Sequence, residues 1–243
     1  LFNEPRLLLM EELREPRNYF SILRAIAQGR TRLNEIAQGA GIGNVTTVAR
    51  YLDILQQMRL ITRRVPATET QPEKSKKGIY QIDDHFLRFW FRHVHPNQSS
   101  LDLGLADAIL QQRIKPDLDH FVAIAFEEAA ITFTGRQAQA GELDFFPERI
   151  GGWWNRDAEI DVLAINHSEK IALVGECKWT IHPVGTSVLD ALKQKVEILT
   201  KDHGLKKVQF ALFARNGFTA DLVDRSKSEG IHLYTVDSLV NQG

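Results

Sequence analysis

Apolar residues over roughly the first sixty positions recur at helical spacing, whereas beyond residue 115 helical stretches alternate with short apolar blocks. In "YFSILRAIAQG", Tyr19, Ile22, Leu23 and Ile26 fall on one stripe, and Gly29 follows as a helix stop. "RLNEIAQGAG" predicts a second, short helix ending at Gly39 and Gly41. "IGNVTTVARYLDILQQMRLI" supplies an N-cap at Asn44 and a third helix with Val48, Leu52 and Leu55 facing inward. Two β-like runs follow in "LITRRVPATETQPEKSKKGIYQI", separated by a polar, lysine-rich loop. Three helices with a glycine-bearing turn, then a hairpin, make a winged helix-turn-helix. Leu7, Leu8 and Leu9 read as a helix entering from an upstream segment, and the chain starts without Met, so a longer polypeptide is expected.

"DDHFLRFWFRHVHPNQSS" carries Phe86, Phe89, Trp90 and Phe91, too much apolar area for a flexible linker, and reads as interdomain core. His93 and His95 share a face if extended, but no well-spaced third ligand accompanies them, and a metal site there is discounted. The domain boundary is placed at residue 99, giving a winged helix with an aromatic connector over 1–99 and a second domain over 100–243.

The second domain reads as the helix "PDLDHFVAIAFEEAAITF", the strands "EIDVLAI" and "KIALVGECKW", the helix "SVLDALKQKVEIL", the strand "KVQFALFA", a helix from about Thr219 and the strand "IHLYTV". That alternation predicts an α/β sandwich around a mixed sheet. "IALVGECKW" is apolar on both faces up to Gly175, so Glu176 marks the end of a central strand, where open α/β sheets carry their sites.

Charge narrows the choice of partners. The 243 residues hold 30 Lys+Arg against 31 Asp+Glu, a formal net charge of −1, so any nucleic-acid contact must be local. The single cysteine, Cys177, excludes an internal disulfide and a multi-cysteine zinc site. No signal peptide or long apolar span is evident, and the expectation is a cytoplasmic protein with no membrane partner. Local DNA contact would use Thr46, Thr47 and Arg50 on the third helix, with Arg63, Arg64, Lys74, Lys76 and Lys77 of the hairpin near phosphates. Asp53 and two glutamines dilute that face, which argues against specific base readout. The competing reading of this unit is a packing or protein-binding module.

The candidate chemistry lies on the two acidic strands. A tight "NHSE" turn makes them an antiparallel pair with Asp161 opposite Glu176. Strand alternation puts Glu176 and Lys178 on one face, Cys177 on the other, and Glu159 beside Asp161. Carboxylates this close repel unless a cation compensates, and Mg²⁺, which takes few carboxylates and keeps its waters, suits Asp161 and Glu176. Lys178 would steer a water nucleophile or stabilise a phosphoryl oxygen. Trp153, Trp154 and Arg156 in "GGWWNRD" either stack on exposed bases or serve core packing or a lid. Lys193 and Lys195 face either the site or solvent, and such a charge run is usually a solvated face.

Asp161 followed by Glu176-Cys177-Lys178 resembles the signature of the PD-(D/E)XK phosphodiesterases, which include restriction endonucleases and Holliday junction resolvases. The resemblance spans roughly residues 115 to 235, with Ile160 in place of the proline of the name. It implies a restriction-endonuclease-like α/β fold, Mg²⁺ or Mn²⁺ on Asp161 and Glu176, Lys178 near the attacking water, and a helix acid. "AFEEAA" offers Glu127, after Phe126, as the better match for that acid and Glu128 as the alternative. The order of parts also resembles the C-terminal region of archaeal-type ATPases. No G-x-x-x-x-G-K-[ST] occurs here, so an ATPase would lie upstream. The implied function is a Mg²⁺-dependent endonuclease-like module acting on duplex or branched DNA. The rival is a noncatalytic DNA- or protein-binding regulatory module of that ATPase.

Overall fold

A computed structural model describes residues 16–240; Leu7, Leu8 and Leu9 lie outside them. The chain divides into two compact units, one running to Arg64 and resuming over Lys76–Leu118, the other made of Val65–Ser75 and Asp119 onward.

The first unit opens with α1 (Pro16–Ala27), whose Tyr19, Ile22, Leu23 and Ile26 are buried at the spacing of one helical face. Gly29 takes a φ of 91° and ends it. α2 (Leu33–Ala40) runs through Gly39 and closes on Gly41 at φ 69°. α3 (Val45–Gln57) starts where the Asn44 side chain accepts hydrogen bonds from the Thr46 and Thr47 backbone N–H groups, at 2.9 and 3.3 Å. Its Val48, Leu52 and Leu55 are fully buried. β1 (Ile61–Arg64) and β2 (Ile79–Ile82) pair antiparallel, with Ile61 opposite Ile82. α4 (His85–Phe89), capped by Asp84, continues into a wider π turn over Trp90–Val94. Trp90 and Phe91, expected between the domains, join the core of this unit beside Phe20, while Phe86 is exposed.

The second unit is a mixed α/β structure around five strands in the order β3-β4-β5-β6-β7. β3 (Arg149–Trp154), β4 (Glu159–Asn166) and β5 (Ile171–Lys178) are antiparallel neighbours; β6 (Lys207–Ala214) and β7 (His232–Thr235) add on in parallel. The long helix α7 (Lys115–Gln139), numbered after the short α5 (Gln98–Asp102) and α6 (Ala106–Ile109), packs Phe126, Ala130 and Phe133 on one sheet face, against Val162, Ala164, Leu173 and Phe213. Helices α8 (Thr186–His203) and α9 (Ala220–Glu229) cover the other, where Leu189, Leu192, Val196 and Leu222 meet Leu163, Ile165, Ala172 and Val174. The chain ends its described part in α10 (Val236–Val240). Central position on two covered faces explains why β5 is buried from Ala172 to Cys177.

Two features position the site. Gly175 must lack a side chain, because a Cβ there would stand 2.9 Å from the Phe213 ring and 3.1 Å from Val162. The segment Val65–Ser75, part of the polar loop that the sequence places between the two strands of the hairpin, is fastened by the Ala67 N–H donating to the Gly152 carbonyl at 2.8 Å, with Ala67 buried. β3 escaped the sequence reading: Gly151 and Gly152 interrupt the alternation, and a bulge falls between Gly151 and Trp153.

Candidate active site

The hairpin β4–β5 carries the acidic pair. Val162 pairs with Gly175 and Leu163 with Val174, so the next step of the ladder sets Asp161 across from Glu176, on the sheet face that α8 covers. Asp161 accepts a hydrogen bond from the Cys177 N–H at 2.8 Å, which anchors it to the end of β5. Glu176, only 6% exposed, accepts from Lys178 Nζ at 2.8 Å on Oε1. Lys195 of α8 reaches the same carboxylate, at 2.9 Å from Oε1 and 2.7 Å from Oε2.

The electrostatics follow from burial and crowding. Burial, then the Glu176 charge, push the pKa of Asp161 up to about 6, although the Cys177 N–H and the two lysines oppose the shift. Glu127 is raised to about 8 by burial first and then by Asp161, Glu159, Glu128 and Glu176 in that order, so it keeps its proton at neutral pH. Burial disfavours charge on Lys178, but its hydrogen bond to Glu176 and the nearby carboxylates outweigh that and raise its pKa. Burial drives the Cys177 thiol well above its usual range, leaving it a neutral core group rather than a nucleophile.

Asp161, Glu176, Lys178 and Glu127, all named from sequence, thus share one electrostatic neighbourhood. Among the described residues, no group of three or more His, Cys, Asp and Glu side chains is arranged to hold a metal ion. The donor set nevertheless fits a hard dication that takes two carboxylates and fills its remaining positions with water: Asp161 and Glu176 offer oxygen only, and their repulsion is what a cation relieves.

Lys195 is the member whose side the sequence left open. The signal was present in α8: Leu189, Leu192, Val196 and Leu199 form its buried stripe, and Lys195 sits at the edge of that stripe. Lys193, on the other flank, pairs with Glu229. Trp179, Asp119 and Arg215 were not singled out either. The Arg215 N–H donates to the Lys178 carbonyl at 3.0 Å, its guanidinium lies 4.8 Å from the Trp179 ring centroid, and Asp119 accepts from both side chains at 3.2 Å.

The proposed DNA contacts scatter more. Thr46, Arg50, Lys76 and Lys77 are exposed in the first unit, Thr47 is half-buried, and Arg64 is half-buried on β1. Arg63 is held against Tyr80 by a side-chain hydrogen bond. Lys74, exposed, sits on the segment that belongs to the second unit, beside a polar cleft of about 310 Å³ lined also by Thr68, Thr70 and Gln71. Trp153 is buried in the second core, in keeping with packing rather than base stacking. Among the described residues, no helix is long and apolar enough to cross a membrane.

Residues 90–190 match the family model DUF234. That family is described as archaeal and bacterial proteins of unknown function. The stretch shared with DUF234 contains Glu127, Asp161, Glu176 and Lys178 and stops short of Lys195. An uncharacterized protein of Methanocaldococcus jannaschii is 38% identical over 172 residues, 71% of this chain. The chain spans 38% of the length of that relative. No solved structure matches this chain.

Proposed function

We propose that the chain is a Mg²⁺-dependent phosphodiesterase module of PD-(D/E)XK type acting on DNA, with its first unit serving as a winged helix. The observation that carries this reading is the convergence of Asp161, Glu176 and Lys178 at the end of one hairpin, with Glu127 in their field. Asp161 and Glu176 would hold the ion, which supplies a Lewis acid toward a phosphoryl oxygen. The chain's own groups do the rest. The Cys177 N–H fixes the Asp161 carboxylate, and the Lys178 ammonium, charged and tethered to Glu176, stands ready to orient water or stabilise charge on phosphate. Arg50, Lys76 and Lys77, all exposed, would be the groups that meet DNA phosphates. An ATPase upstream in the same polypeptide is part of the proposal, and the greater length of the relative leaves room for one.

A second reading, a noncatalytic DNA- or protein-binding module of such an ATPase, draws on one observation: both oxygens of Glu176 are already engaged by lysines. The test is cleavage of single-stranded, duplex and branched DNA in Mn²⁺ at high protein concentration. Wild type should cut, and Lys178→Ala should keep the ion while losing roughly a hundredfold in rate, the scale of one positioned electrostatic group. Bound Mn²⁺ with no cleavage of any DNA form would leave the noncatalytic module as the better account.

A further inference from the structure

Glu176 is a buried carboxylate with two cationic partners of different origin. Lys178 comes from the same strand two residues on and touches Oε1 alone. Lys195 comes from α8 and bridges both oxygens, at 2.9 and 2.7 Å. An ammonium across both oxygens takes the position from which a carboxylate chelates a cation, and two cations cannot share it at that range. Leu192 and Val196, fully or nearly fully buried on either side of Lys195 in α8, fix its backbone. Its side chain retains 29% exposure, so it borders solvent as well as the buried carboxylate.

We infer that Lys195 is a positioning residue that holds the Glu176 carboxylate in place as a resident cation and yields to a divalent ion. The inference rests on the metal-dependent reading of the same site. In the ion-free protein Lys195 neutralises a charge that burial would otherwise make costly. When an ion enters, Lys195 leaves and Lys178, which needs only Oε1, remains. The lysine therefore stabilises the empty site and competes with the ion for it.

Mn²⁺ binding, followed by electron paramagnetic resonance of the free ion, separates the outcomes without any nuclease assay. Lys195→Met should bind Mn²⁺ about tenfold more tightly than wild type, the scale of one lost competing charge in a partly buried pair, whereas Lys195→Arg should stay close to wild type. In chelator, Lys195→Met should melt below wild type, and Mn²⁺ should close that gap. A merely structural role would lower stability but would not tighten ion binding. Equal or weaker affinity in a folded Lys195→Met, with wild type binding the ion, overturns the role of Lys195 alone. Absence of binding in wild type and both variants overturns it together with the metal-dependent reading.

Discussion

Glu127 shows how far burial moves a single group. Its ordinary carboxyl value is 4.5, and in the folded chain it is raised to about 8 by burial and by four neighbouring carboxylates. Across that interval the folded chain keeps a proton that the unfolded chain releases, so stability present below pH 4.5 is lost as pH rises through about 8. Asp161 adds a smaller effect of the same sign between 3.8 and about 6. In chelator, these two groups should therefore pull the melting temperature of wild type down between pH 4.5 and 8, against His93, whose burial lowers its pKa and adds stability as pH rises toward 6.5. Glu127→Gln should flatten the upper part of that fall, melting a few degrees above wild type at pH 8 and level with it below pH 4.5. A melting curve of the same pH dependence in both proteins would show that folding leaves the Glu127 carboxyl at its ordinary value. Lys178 and Lys195 belong to the same scale: each is a point charge whose partner, Glu176, is nearly shut off from water.

Among the elements, β5 decides the geometry of the site, because it runs through the middle of the sheet and delivers Glu176 and Lys178 at its end. Its one glycine sits where β4 and β6 press close from one face. Gly175→Ala should destabilise the second unit by about 1–3 kcal/mol, the usual cost of overpacking, since the new Cβ would crowd both Phe213 and Val162. Urea unfolding measures it, and Gly175→Val should cost more. No loss in Gly175→Ala would mean that the Phe213 ring turns aside freely. The alternation that placed Glu176 and Lys178 on one face was legible from "GECK", whereas β3 was not, because its two glycines carry no side chains from which a pleat can be read. α8 lies between these cases: its buried stripe was periodic, but the partner of Lys195 depended on which strand the helix covers.

At the scale of the whole chain, a net charge of −1 provides no general attraction to nucleic acid. The proposed DNA affinity would then have to come from a few cations, and its salt dependence would count them. Duplex binding should weaken steeply as salt rises, and replacing Lys74, Lys76 and Lys77 together by Ala should reduce the slope by roughly one unit per lost phosphate contact. Lys74 lies on the segment of the second unit, so replacing it alone tests whether that segment takes part. Binding that ignores salt, or none at low salt, would assign the first unit to protein partners.

Local spacing determined by itself the helix stripes around Val48 and Leu52, the cap at Asn44, the strands bearing Asp161 and Glu176, and the shared face of Glu176 and Lys178. These depend on periods of 3.6 and 2 and on one tight turn, all within a few residues of each other in the chain. Tertiary structure alone decided the proton on Glu127, 34 positions before Asp161, the second lysine on Glu176, 19 positions later, and the attachment of Val65–Ser75 to the second unit. Desolvation and Coulomb energies depend on distances in space, and hydrophobic periodicity does not specify which distant segments will be brought that close.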